Sequence, residues 1–217
     1  MPGMPRTARI APGGIVYHAL NRGCGRANLF DKVADYDAFE RVLDYALERV
    51  PTRILAYCLM PNHWHFVLWP RKDGELTEFL RRVTHTHTQR WHAHRHTAGT
   101  GHLYQGRFKS FPVQADDHLL AVIRYVERNA LRADLVNKAE HWRWSSLWRR
   151  VSGSDEQKGI LHPWSTEMPP EWVERVNLPH TAAELEALRR SCTRGTPFGS
   201  ERWQLKTAGE LKGRKTG

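Results

Sequence analysis

Cysteine is scarce in this sequence: Cys24, Cys58 and Cys192 form no C-x-x-C and are too dispersed for a disulfide framework or a cysteine-rich zinc module. No apolar run is long enough to span a membrane, and no secretory hydrophobic segment stands at the N-terminus, so a reducing cytoplasm is expected. There is no internal repeat and no sustained heptad, which excludes solenoids and coiled coils. Acidic residues are also in deficit. Against 33 Lys and Arg stand 23 Asp and Glu, a formal charge of +10. An anionic partner is therefore expected, and without a membrane-spanning run nucleic acid fits best.

What the chain does contain is a patterned core with polar arms. Its 217 residues fit one domain of about 150 residues plus an extension. Residues 1–14 read as a loose arm rich in Pro, Gly and Arg. GIVYHALNR (14–22) reads as a strand with Tyr17 facing away from Val16 and His18, and GCGRANLF turns the chain. YDAFERVLDYALERV follows as a helix that Asp35 can cap, with Phe39, Val42, Leu43, Ala46 and Leu47 as its apolar stripe and Pro51 as its end. RILAYCLM (53–60) and HWHFVLW (63–69) read as an antiparallel hairpin joined at MPN. Their apolar content on both faces calls for helices over at least one of them.

A long helix is predicted over 75–96, with Leu76, Phe79, Leu80, Val83 and Trp91 at helical spacing and a basic, histidine-rich remainder read as solvated or DNA-facing. AGTGHLYQGRFKSFPVQ (98–114) reads as a glycine-broken loop running into a strand. Asp116 or Asp117 starts a further helix, predicted to run to 136, that buries Leu119, Leu120, Ile123, Val126 and Ala130. The order β-α-β-β-α-β-α specifies an α+β fold with helices on a mostly antiparallel sheet. Three tryptophans and three arginines in HWRWSSLWRR (141–150) close that unit, and SGSDEQKG reads as a linker. Beyond it come a proline-broken piece, a short helix with a capping box from Thr181 to Glu184, and a disordered basic end, LKGRKTG.

The centre of this plan is the strand HWHFVLW. Strand side chains alternate between faces, so His63 and His65 share one face and Trp64 takes the other, a two-imidazole site. Spacing alone is weak evidence, because with 13 histidines an H-x-H arises by chance and the pairs 85/87, 92/94 and 94/96 also occur. Those three fall in a predicted helix, where residues two apart do not share a face. On the helix at 117–136, Tyr125 and Asn129 are four apart and do share one. A phenol is a nucleophile once deprotonated or metal-assisted, and in a basic protein its natural electrophile is a phosphodiester. Two imidazoles and a carboxamide can hold Mg²⁺ or Mn²⁺ against a phosphate oxygen, although imidazole also suits zinc.

PNHWHFVLWP resembles the histidine–hydrophobic–histidine motif of the single-tyrosine HUH transposases, and YVERNALRADLV resembles their nucleophile helix. YHALNRG, YQGRFKSF and WRWSS narrow the resemblance to the REP-associated tyrosine transposases, over about residues 8–148. The resemblance implies a ferredoxin-like catalytic domain at 8–148 followed by a C-terminal extension at 149–217. The implied activity is metal-dependent cleavage and strand transfer of single-stranded DNA beside hairpin-forming repeats, through a 5′-phosphotyrosine. By position it makes Tyr125 the nucleophile, His63 and His65 ligands of Mg²⁺ or Mn²⁺, and Asn129 the third ligand. Two residues depart from the usual pattern: Trp64 replaces an aliphatic residue and would point into the core, and Ala130 stands where proline usually follows the asparagine. Arg81, Arg82, Arg90, Arg95, Arg107, Lys109, Arg124 and Arg128 are candidates for DNA contacts, with Trp91, Tyr104 and Phe108 as stacking platforms. Monomer and dimer are equally open. The rival readings are a non-catalytic binder of folded single-stranded DNA and a metal-dependent nuclease that uses water.

Overall fold

The computed structural model describes residues 11–97, 99, 101–165 and 167–213; most of the expected N-terminal arm and the last residues of the basic end lie outside these. Four strands, β1 (Val16–Arg22), β2 (Arg53–Met60), β3 (His63–Trp69) and β4 (Lys109–Val113), form an antiparallel sheet in the order β2-β3-β1-β4. Helices α1 (Val33–Arg49) and α2 (Glu75–Arg95) connect β1 to β2 and β3 to β4, which is the ferredoxin-like arrangement.

Strand alternation divides the sheet into two chemically different faces. Tyr17 and Ala19 of β1 and Trp64, Phe66 and Leu68 of β3 point toward α1 and α2, where they meet Phe39, Leu43, Phe79 and Leu80 in one apolar core. Val16 and Val67 belong to a second core on the opposite face, with Leu119, Ile123 and Val126 of α3 (Asp117–Glu127). In β2 a register shift between Ile54 and Ala56 places Leu55 and Ala56 consecutively in this second core, after which Tyr57 and Leu59 return to the first. Trp64 is fully buried, as expected, and its indole N–H donates to the Tyr104 hydroxyl at 3.1 Å.

The helix predicted over 117–136 is interrupted. Asp116 caps α3 by accepting from the His118 N–H at 2.9 Å, but Arg128 (φ −81°, ψ −4°) breaks it before α4 (Asn129–Arg132). The interruption occurs without a proline. Asp35 lies in the first turn of α1 rather than at its N-cap, its carboxylate accepting from the Asp31 and Lys32 N–H groups. His87, expected on the polar side of α2, is in the core. It lies four residues beyond Val83 on the same stripe, bonds the Tyr104 hydroxyl at 2.7 Å and stacks on Phe30.

The extension is more ordered than its sequence indicates. α5 (Ser146–Ser152) runs across the expected boundary, and beyond it come α6 (Asp155–Lys158) within the expected linker, α7 (Trp172–Asn177), α8 (Ala182–Arg194) and α9 (Glu201–Gly213), the last covering the start of the segment expected to be disordered. Thr181 and Glu184 form the predicted capping box of α8. The segments after α4 cover both edges of the sheet. Along β2, Leu59 N–H donates to Trp144 O, the Trp142 indole to Leu59 O, the Trp164 indole to Leu55 O, and His162 N–H to Ile54 O. Along β4, Phe198 bridges to Val113 and bonds Pro112 O at 2.9 Å. No helix of the described residues is long and apolar enough to cross a membrane.

Candidate active site

On the second face of the sheet, β1, β3 and α3 bring His18, His63, His65 and Tyr125 together. His65 is paired in register with Leu20 and His63 with Arg22, so Arg22 of β1 lies beside the histidine pair. The His63 and His65 rings are 5.0 Å apart, centroid to centroid, and Tyr125 presents its ring edge-on to His65 at 5.9 Å. His63, His65 and Tyr125 line a cavity of about 510 Å³, together with Arg22, Arg107, Lys109, Arg132, Cys192 and backbone around Gly106.

Each imidazole of the pair has one nitrogen engaged. His63 Nδ1 lies 2.6 Å from Asn62 Oδ1, and the Asn62 amide nitrogen donates to Arg26 O, which fixes the oxygen toward the ring. His65 Nδ1 lies 2.9 Å from His18 Nε2. Burial, reinforced by the charges of Arg22 and Arg132, lowers the His63 pKa to about 4. Burial also holds His65 well below the usual range, with His63, His18 and the two arginines adding to it. Both rings are therefore neutral at neutral pH, and with Nδ1 engaged the Nε2 of each is the nitrogen left to face a divalent cation, a lone-pair donor when the ring proton sits on Nδ1. The donor set fits a metal of the Mg²⁺, Mn²⁺ or Zn²⁺ class, although among the described residues no group of three or more His, Cys, Asp or Glu gathers to hold one.

Asn129 is placed differently from the histidines. It is buried, its amide nitrogen donates to Tyr125 O at 3.0 Å and Val126 O at 3.2 Å, and its Oδ1 accepts from Arg132 at 2.5 Å. It does not line the cavity. The Arg132 guanidinium lies over the Tyr125 ring, 4.5 Å from its centroid, with Nη2 3.5 Å from the phenol oxygen.

The expected DNA-contacting residues separate into groups. Arg107 and Lys109 line the cavity. Arg81, Tyr104, Arg107 and Phe108 line a second hollow of about 690 Å³ that meets the first along Asn21, Gln105, Gly106 and Arg107. Tyr104 is held in the core by Trp64 and His87, and Phe108 is also buried. Arg90, Trp91 and Arg95 line a smaller hollow between α1 and α2, Arg95 being paired with Asp31 and Asp35. Arg81 and Arg82 are paired with Glu78. Arg124 faces Glu184 and His180, and Arg128 donates to Val176 O and Asn177 O, so both tie the end of α3 to the extension.

Sequence reasoning missed Arg22, Arg132, His18, Asn62 and Cys192. Arg22 follows from register, since it stands two positions beyond Leu20 on β1 and so on the same face. Cys192 carried no local signal. It arrives from α8 with its thiol pKa raised to about 11, chiefly by burial, and Tyr125 is among its hydrogen-bond partners.

The fold is shared with solved structures, among them that of a REP-associated tyrosine transposase bound to a REP hairpin. The two chains superpose with a TM-score of 0.52 at 18% identity, over 84% of this chain and 96% of that one. A search of curated proteins by sequence returns no match. The profile of the IS200-like transposases matches residues 13–129, more than half the sequence and the whole span from β1 to the first residue of α4, and the chain belongs to that family.

Proposed function

We propose that this transposase cleaves single-stranded DNA next to a hairpin and rejoins it through a covalent 5′-phosphotyrosine on Tyr125. The observation that carries the reading is the convergence of Tyr125, His63 and His65 on one cavity whose remaining charged side chains, Arg22, Arg107, Lys109 and Arg132, are all cationic. A phosphodiester is the substrate such a cavity suits. Arg22 adds to this, because its buried Nε meets no acceptor among the described residues.

In the step proposed, the Tyr125 oxygen attacks phosphorus, forming the tyrosyl P–O bond as the P–O3′ bond breaks. The phenol loses its proton and the departing 3′-oxygen gains one. One phosphate ester replaces another, so attack by a second 3′-OH reverses the step without a nucleotide cofactor. The Arg132 guanidinium over the ring and near the phenol oxygen favours the phenolate as it develops. Arg22, Arg107 and Lys109 orient and neutralise the phosphate. His63 and His65 would hold the divalent ion, which when bound polarises the scissile phosphate and offsets charge in the transition state. Asn129 lies outside the cavity lining and its carboxamide oxygen accepts from Arg132, so in the arrangement described it positions Arg132. The neighbouring hollow, with Tyr104 and Phe108 in its wall, offers a path for unpaired bases leaving the cavity. A REP-like hairpin is the expected DNA class, as in the solved relative.

The test is covalent capture. An oligonucleotide labelled on the 3′ side of the cut and incubated with protein and Mn²⁺ should yield a protein-sized labelled band on a denaturing gel. The band should vanish with EDTA and with Tyr125→Phe. Product release by Tyr125→Phe at the wild-type rate, with no adduct in either protein, would overturn the tyrosine mechanism in favour of hydrolysis.

A further inference from the structure

His18 is a polar residue in the middle of a sheet, fully excluded from solvent, on the face that β1 shares with His63 and His65. It packs against Phe111 at 4.9 Å and the edge of Tyr125 at 6.2 Å, centroid to centroid. As filler it is a poor choice, because an aliphatic side chain would occupy the space without burying two ring nitrogens that need partners. Its Nε2 meets His65 Nδ1 at 2.9 Å, and its Nδ1 faces the Cys192 sulfur at 4.0 Å.

We propose that His18 is a positioning residue that fixes His65 as the tautomer protonated on Nδ1 and so presents His65 Nε2 to the metal. A hydrogen bond between two neutral imidazoles needs one N–H and one lone pair. If His65 Nε2 is to bind a cation, its proton sits on Nδ1 and His18 Nε2 accepts it. The proton of His18 is then on Nδ1, directed at the Cys192 sulfur, a weak acceptor. His63 shows the same arrangement, with the Asn62 carboxamide oxygen as acceptor. Both acceptors are neutral. A carboxylate in either place would add negative charge behind the ligand, whereas an imidazole and a carboxamide orient the rings and leave the charge of the bound cation undiminished for the phosphate.

The proposal rests on the reading of His63 and His65 as metal ligands, and the experiment separates the two. Mn²⁺ binding to the full-length protein without DNA is titrated by the electron paramagnetic resonance of free Mn²⁺. His18→Leu removes the acceptor and should weaken binding by about 10- to 100-fold. His18→Gln, whose amide oxygen can replace Nε2, should recover most of that loss. Binding of a labelled hairpin without metal should be unchanged in both. Nitrogen NMR of the wild-type histidines should show His65 protonated on Nδ1, a readout that survives even if His18→Leu fails to fold. His65 protonated on Nε2, or wild-type Mn²⁺ affinity in folded His18→Leu, overturns the positioning role. Equal Mn²⁺ affinity in wild type and His63→Ala/His65→Ala overturns the metal site itself, and the role of His18 with it.

Discussion

The Tyr125 helix is anchored from behind by a buried carboxylate, and truncating it should cost far more than neutralising it. Glu127 ends α3 and is wholly buried, accepting from Ser146 Oγ at 2.6 Å and from the Trp172 indole N–H at 2.8 Å. Burial raises its pKa, opposed by Arg150 and by these two donors. In Glu127→Ala the indole N–H loses its acceptor, Arg150, which donates to Leu55 O, loses the negative charge near it, and a void is left, for which about 3–5 kcal/mol is expected. Glu127→Gln keeps the shape. The indole can only donate, so it takes the amide oxygen. The amide nitrogen then faces Ser146, whose hydroxyl can turn its own proton to Tyr57 O at 3.2 Å. Only the attraction to Arg150 is lost, on the order of 1 kcal/mol. In a chain of this size the alanine variant should melt on the order of 10 °C lower and the glutamine variant only a few degrees lower. Urea and thermal melts followed by circular dichroism measure both. Equal losses in the two variants would show that the carboxylate's charge, which both remove, and not donor satisfaction or side-chain volume, holds α3 in place.

His63→Ala/His65→Ala should abolish cleavage yet leave hairpin affinity largely intact in a gel-shift assay, because contacts to the phosphate backbone supply most of the binding. The +10 charge predicts that affinity for single-stranded DNA falls steeply between roughly 50 and 200 mM KCl, by about 0.7 log unit per log unit of salt for each neutralised phosphate; a flat dependence would count against a DNA-binding surface. The protein should also be acid-labile: burial lowers the pKa of His18 and His87 to about 3, against 6.5 in the unfolded chain. The unfolded state therefore binds more protons over that window, and stability present above pH 6.5 is lost as pH falls toward 3. His87→Gln should make the slope of unfolding free energy against pH shallower by up to about 1.4 kcal/mol per unit.

The sheet and its helices were legible because their signal is periodic. Trp64, Phe66 and Leu68 alternate with His63, His65 and Val67 in both the sequence and the fold. The break at Arg128 was not legible, since nothing in YVERNALRADLV is a poor helix former at that point. His87 was misread because polarity was weighed above its place on the stripe. Arg124 and Arg128 were assigned to DNA on charge alone, while their partners, Glu184 and the carbonyls of Val176 and Asn177, lie about fifty residues or more downstream. Cys192 shows the same limit: only tertiary folding brings α8 to Tyr125.

The covering of β2 by Trp142, Trp144, His162 and Trp164, and of β4 by Phe198, has a consequence for how this protein meets other proteins. A bare edge strand is a template for another chain. Here the indoles and backbone groups of the protein's own C-terminal third already occupy much of both rims, so two copies cannot readily join their sheets into a continuous one and a foreign strand has little room to dock. Self-association, if it occurs, has to use helices or loops. The covering also works in reverse: a protease cut near Val151 that freed the later segments would uncover part of the β2 rim and all of the β4 contact, converting a self-contained molecule into one prone to stick to its own kind.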